Sequence, residues 1–138
     1  KFISTSPARR RRCNSSFTLI GLGSGIGGMF RFIISYLTAT YNYKNFPLGT
    51  FTVNIIGFFL MGFIFHLIIE NQWSDSLKFF LLTGVLGGFT TFSAFSLETI
   101  KLIENQNYSI AILYVISSII IGLLSTWTGI VIMKSILS

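Results

Sequence analysis

The chain has 138 residues, of which 51% are hydrophobic and only 10% charged, against about 25% charged in a typical soluble domain. That scarcity excludes an ordinary water-soluble globule, and it excludes a nucleic-acid binder despite the net charge of +6, because four of the ten cations form one run, Arg9 to Arg12. Without that run the chain is close to neutral.

Residues 1–16 are rich in Arg and Ser and contain no acid, a composition that loosely resembles a transit peptide. They are read as a basic disordered tail, and residues 17–138 as the domain. Four stretches then lack Asp, Glu, Lys and Arg: 13–30, 45–69, 79–97 and 105–133. Each is close to the roughly 20 residues that a helix needs to cross a bilayer core of about 30 Å. Their apolar runs are continuous, as in Ile119 to Leu124, where barrel strands would alternate. The fold class is therefore all-α: a multi-pass membrane protein with four transmembrane helices and lipid around it.

Helix 1 is expected from Phe17 to Thr38, followed by a turn at Tyr41 to Pro47, and helix 2 from Leu48 to Ile69. A polar loop, Glu70 to Ser76, precedes helix 3, Leu77 to Ile103. Its middle reads Gly84-Val85-Leu86-Gly87-Gly88-Phe89-Thr90-Thr91-Phe92-Ser93, and glycines followed by hydroxyl residues predict a break near the bilayer midplane. Helix 4 is expected from Asn107 to Met133. With four spans both termini share a side, which holds Lys78 and Lys134 as well as the tail. The other side holds Lys44, Lys101 and Arg31. Setting the tail aside, cations near the span ends are almost balanced, so the rule that orients helices by Lys and Arg gives no strong preference. Such a chain can insert both ways and pair antiparallel.

Gly23, Gly25 and Gly28 match G-x-G-x-x-G formally, but no acid follows at the distance a dinucleotide fold needs. The spacings Gly21/Gly25, Gly23/Gly27 and Gly84/Gly88 read instead as close helix packing through small residues. Arg31 ends an apolar span, where a functional charge and a snorkelling one are equally compatible with its position. His66, with no acid, Cys or second His on its face, reads as interfacial.

On helix 2, Asn54 lies in Gly49-Thr50-Phe51-Thr52-Val53-Asn54-Ile55-Ile56-Gly57, and Thr50 and Gly57 share its face. Its amide is either an interhelical clamp or a donor facing a pore. On helix 3, Phe92 and Phe95 share a face and alternate with Thr91, Ser93 and Ser96 directly after the break. Unwound backbone at membrane depth survives only when buried in protein or lining a cavity. Broken helices hold cations on freed carbonyls and attract anions to half-helix N-termini, and phenyl edges carry partial positive charge. The combination suggests an ion site. Glu98 reads as a vestibule or interfacial charge, and Tyr114 and Ser118, four apart, as a polar line on helix 4. The sequons at Asn14 and Asn107 read as fortuitous. Cys13 is the only cysteine, so no disulfide and no clustered metal ligands are expected. No nucleophile, base and orienter set points to an enzyme.

Three segments resemble the CrcB/Fluc family of fluoride channels: Gly27-Gly28-Met29-Phe30-Arg31-Phe32, Gly49-Thr50-Phe51-Thr52-Val53-Asn54, and Gly87-Gly88-Phe89-Thr90-Thr91-Phe92-Ser93-Ala94-Phe95-Ser96-Leu97-Glu98. Order and spacing agree over about residues 17–134. The resemblance implies a dual-topology antiparallel homodimer in the cell's inner or plasma membrane that lets fluoride leave passively through two pores. It implies a pore lined by Asn54, Phe92 and Phe95, with Tyr114 and Ser118 as a polar track; Thr50, Thr91 and Ser93 are counted with them as pore-lining, fluoride-binding residues. It also implies a structural sodium ion at the dimer interface, held by backbone carbonyls at Gly87 and Thr90. Ala94 replaces the family's usual second hydroxyl, and Gly122 leaves the track without a side chain one turn beyond Ser118. A small proton-coupled exporter is the alternative; it needs a membrane-embedded carboxylate, and Glu98 reads as marginal. A structural membrane subunit without transport is the third possibility.

Overall fold

Hydropathy alone requires helices here, since a chain in lipid must satisfy its own backbone groups. The computed structural model describes residues 7–39 and 45–138. The elements run α1 (Pro7–Ala39), α2 (Leu48–Glu70), α3 (Asp75–Lys78), a π-helical stretch (Phe79–Leu86), α4 (Gly87–Phe89), α5 (Phe92–Glu104) and α6 (Tyr108–Leu137). Four spans are long and apolar enough to cross a membrane: Asn14–Ala39, Leu48–Glu70, Asp75–Glu104 and Tyr108–Leu137. The four-span expectation holds, with a break in the third span.

Helix α1 starts at Pro7 and not near Phe17, so residues 7–16 continue the helix where the sequence reading places a disordered tail. Proline suits a first helical turn, where its missing N–H has no partner to lose, and Ala and Arg are good helix formers. Lys44 and most of the Tyr41 to Pro47 turn lie outside the described residues.

Two seams of small residues set the packing. Helix α2 packs against α6 and α1 against the π-helical stretch and α4. On α1, a side chain at Gly27 would land on the Val85 carbonyl, and one at Gly23 would stand 2.6 Å from the Phe80 carbonyl oxygen. Gly84 and Gly88 return the contact, against Gly23 and Ser24. The Gly23/Gly27 and Gly84/Gly88 spacings thus do what small residues do in membrane helix pairs. Gly21 and Gly25 do not: nothing lies within 4 Å of a Cβ at either, because both face away from the seam. The α2–α6 seam uses Gly62 against the Thr126 backbone and Gly129 against the Phe59 carbonyl, and Ser125 Oγ donates across it to the Ile55 carbonyl at 2.9 Å.

The break falls at Thr90 and Thr91, both extended (ψ 151° and 117°), midway along the 30-residue third span. The glycines before it are not its cause: none among the described residues has positive φ, and Gly84, Gly87 and Gly88 remain helical. The upstream irregularity is the π-helical stretch itself, a rare arrangement that tends to mark functional regions.

Candidate functional site

The break needs partners for the backbone groups it frees. In an unbroken helix the Thr91 N–H would bond the Gly87 carbonyl. Here it donates to Asn54 Oδ1 at 2.9 Å, while Asn54 Nδ2 donates back to the Thr91 carbonyl at 3.1 Å. The amide of Asn54 therefore spans the break like a strand partner. Its neighbours on the α2 face serve the same junction: Thr50, Asn54 and Gly57 are all buried. Gly57 lets the Thr90 methyl and the Phe89 ring, 3.0 Å from a would-be Cβ, press onto α2. Both readings of Asn54 have a basis here, because it clamps two spans and also lines a cavity.

Helix α5 starts beyond the break with Thr91 as its N-cap, whose Oγ1 accepts from the Ala94 N–H at 3.3 Å. Thr91 Oγ1 also lies 3.2 Å from Ser93 Oγ. A capped half-helix N-terminus at mid-span offers the positive end of its dipole to an anion.

A cavity of about 290 Å³ opens beside that N-terminus, lined by Asn54, Phe58, Phe92, Phe95, Ser118, Gly122 and Thr126 among others. Phe92 is 78% exposed, and its ring centroid lies 5.5 Å from that of Phe95, which in turn lies 5.1 Å from that of Tyr114. Ser118 Oγ is buried and has no hydrogen-bond partner among the described residues, although buried hydroxyls are nearly always paired. The cavity thus offers an amide, a free hydroxyl and phenyl rings, with no formally charged side chain among its lining residues.

A second cavity, about 520 Å³, lies on the other side of the same turn and is lined by Arg31, Ser35, Thr38, Thr50, Thr91, Ala94 and Glu98 among others. Thr91 borders this one and its partner Asn54 the first, so the two meet at the Asn54–Thr91 bridge. Glu98 accepts from Thr50 Oγ1 at 2.7 Å and from the Tyr114 hydroxyl at 2.8 Å. It sits six residues before the end of α5, about 9 Å inside it at a helical rise of about 1.5 Å per residue. Glu98 is half-buried, and its two hydroxyl donors, one from the fully buried Tyr114, hold it against α2 and α6. No ion pair joins it to Arg31 among the described residues.

The expected site residues therefore fall into two groups. Asn54, Thr91, Phe92, Phe95 and Ser118 surround the break and its cavity. Thr50, Glu98 and Tyr114 form a hydrogen-bonded cluster toward the end of the span, facing Arg31 across the larger cavity. Tyr114 and Ser118 lie one turn apart on α6 but differ in partners: the tyrosine hydroxyl donates to Glu98, and the Ser118 hydroxyl has no partner among the described residues. Ser93 is exposed next to Thr91. Gly87 and Thr90 flank the last turn before the break, and a Cβ at Gly87 would meet only the Leu82 carbonyl, at 3.7 Å. His66 is not without an acid: its Nε2 lies 3.8 Å from Glu70 Oε1, one turn on. The sequence reading passed over Phe58; its place four residues after Asn54 on the same face was the available signal.

The description "CrcB-like protein, Camphor Resistance (CrcB)" belongs to the family model that matches residues 18–130. The chain belongs to the CrcB family. A "Fluoride-specific ion channel FluC" of Flavobacterium psychrophilum is 44% identical over 118 residues, covering 85% of this chain and 95% of that protein. One of the same description from Azobacteroides pseudotrichonymphae is 43% identical over 112 residues, covering 80% and 90%. Another, from Helicobacter pylori strain P12, is 41% identical over 118 residues, covering 84% and 91%. The CrcB match begins at Thr18, close to the start of the first span and after the Arg run. With four membrane-capable helices and these relatives, the chain is a multi-pass membrane protein.

Proposed function

We propose that this protein is a fluoride channel that lets fluoride leave the cytoplasm passively across the plasma membrane. The observation that carries the reading is the mid-span cavity in which Asn54, the free Ser118 hydroxyl and the Phe92 and Phe95 rings converge beside the α5 N-terminus. Fluoride holds its water tightly, so a path must replace that water with directed donors. Amide, hydroxyl and phenyl-edge groups do so without a fixed full charge, and conduction needs sites weak enough to release the ion. Relatives at 41–44% identity carry the fluoride-channel description.

The working unit in this proposal is an antiparallel homodimer of dual topology. Support comes from the near balance of cations at the two ends of the spans and from the exposed face that carries Phe92 and Ser93, where a polar hydroxyl beside an open ring suits a protein partner better than lipid. A structural sodium ion at the dimer interface is held by Gly87 and Thr90 carbonyls. The residues fit such an ion: the break removes the next-turn partners of the last α4 carbonyls, Gly87 is bare of side chain, and unwound carbonyls hold sodium in other broken helices.

The test is efflux from liposomes followed with a fluoride electrode. The purified protein releases fluoride and retains chloride, with no dependence on a pH gradient. Phe92→Leu and Phe95→Leu slow release; unchanged flux in both would remove these rings from the ion path. A second reading has one observation in its favour: Glu98 is a carboxylate inside the span, as a proton-coupled exporter requires. Fluoride flux that demands an imposed proton gradient decides for it.

A further inference from the structure

Tyr114, Ser118, Gly122 and Thr126 follow one another at four-residue spacing on α6, so they form a row along one side of the helix. Three of them carry hydroxyls and Gly122 carries nothing, yet its place is filled. A Cβ at Gly122 would stand 2.8 and 2.9 Å from Cδ2 and Cε2 of Phe58. One edge of the Phe58 ring lies in the space that a side chain at 122 would take. Phe58 comes four residues after Asn54 on α2, hence on its face, and it lines the same cavity as Asn54, Phe92, Phe95 and Ser118. The α2–α6 seam is held close to this point, at Ser125 with Ile55 and at Gly62 with Thr126, so helix separation does not make room for the ring.

We propose that Phe58 is a third aromatic of the ion path, positioned by the absence of a side chain at Gly122. The inference rests on the channel reading. A ring edge presents weakly positive C–H groups, so beyond the Ser118 hydroxyl the ion passes from an oxygen-bound donor to a softer one. Bulk at 58 and bulk at 122 compete for one volume. The row on α6 is therefore completed from α2, by a phenyl edge in place of a hydroxyl.

The experiment compares fluoride efflux for the wild type, Phe58→Leu, Gly122→Ser, and the double variant Phe58→Ala/Gly122→Ser, each shown to be monodisperse, with its thermal midpoint recorded and its rate scaled to folded protein. Phe58→Leu keeps the apolar bulk and loses the ring edge; Gly122→Ser drives the ring out. Each is expected to slow release about tenfold, the effect of a modest rise in barrier. The double variant, with a hydroxyl and the room for it, recovers most of the wild-type rate. A purely structural role for Phe58 would change the midpoint and leave the rate per folded protein alone. Should Gly122→Ser fail to fold, Phe58→Leu decides by itself. An active wild type with Phe58→Leu at the same rate, or a double variant as slow as Gly122→Ser, overturns this inference only. A wild type that releases no fluoride overturns the channel reading and this inference with it.

Discussion

Replacing Asn54 with Leu tests whether one side chain holds the broken span together. Leucine is close to asparagine in size, so no large cavity opens, but both hydrogen bonds to Thr91 are lost. Thr91 is 9% exposed, so water does not readily replace the amide. An orphaned buried backbone N–H costs about 1–3 kcal/mol. A carbonyl, with two lone pairs, is more often left under-satisfied, and about 1 kcal/mol is appropriate for it. The sum is a loss of about 2–4 kcal/mol. Ser125→Ala is the internal comparison: it removes a single interhelical hydrogen bond whose acceptor, the Ile55 carbonyl, lies within α2, and should cost about 1 kcal/mol. Thermal unfolding in detergent, followed by helical circular dichroism, ranks the two. If Asn54→Leu is no more destabilising than Ser125→Ala, the amide does not support the break, and its role is confined to the cavity it lines.

The two donors to Glu98 should be coupled. Tyr114→Phe and Thr50→Val each cost about 1 kcal/mol, discounted for the partial exposure of the carboxylate. The double variant should depart from the sum by at least about 0.5 kcal/mol, and strict additivity in unfolding would show that they do not share an acceptor. Gly27→Ala should abolish a monodisperse protein, because the new methyl meets the Val85 carbonyl and lies 2.8 Å from the Phe89 amide nitrogen, backbone atoms that cannot turn away. Gly25→Ala, facing open space, should be neutral or stabilising by up to about 1 kcal/mol through helix propensity; similar yields and midpoints for the two would refute the seam. Exchanging sodium for N-methylglucamine should lower the thermal midpoint, and an unchanged midpoint and flux would argue against the carbonyl-held ion.

Much of this architecture was readable because hydropathy in a bilayer leaves few choices: long apolar runs are helices, and charge marks their ends. The face carrying Thr50, Asn54 and Gly57 was readable from helical spacing. The break was placed correctly for an incomplete reason. Gly84, Gly87 and Gly88 signalled irregularity, yet all three stay helical and Gly84 and Gly88 serve helix packing, while the extended residues are Thr90 and Thr91, and Asn54 captures the backbone of the second. That capture depends on α2 lying against the third span, a long-range fact with no local signature. The partners of Glu98 were hidden for the same reason: sequence distance to the span end says nothing of Thr50 and Tyr114 converging on it. Gly122 looked like a missing group, and only the packing of α2 on α6 reveals the ring of Phe58 in its place. The π-helical stretch has no periodicity that separates it from an α-helix.

The third span belongs mechanically to two different bodies. Its first half is fastened to α1 through the glycine seam; its second half is seated beside α6 and carries Glu98, pinned to α2 and α6 by hydroxyls. Thr90 and Thr91 are the joint between them and Asn54 is its pin. A small tilt of one body against the other has no long stretch of helix over which to spread, so it concentrates in the dihedral angles of two residues. The first side chain beyond that joint is Phe92. Any change in the angle between the two halves is therefore felt first at the ring that opens the cavity.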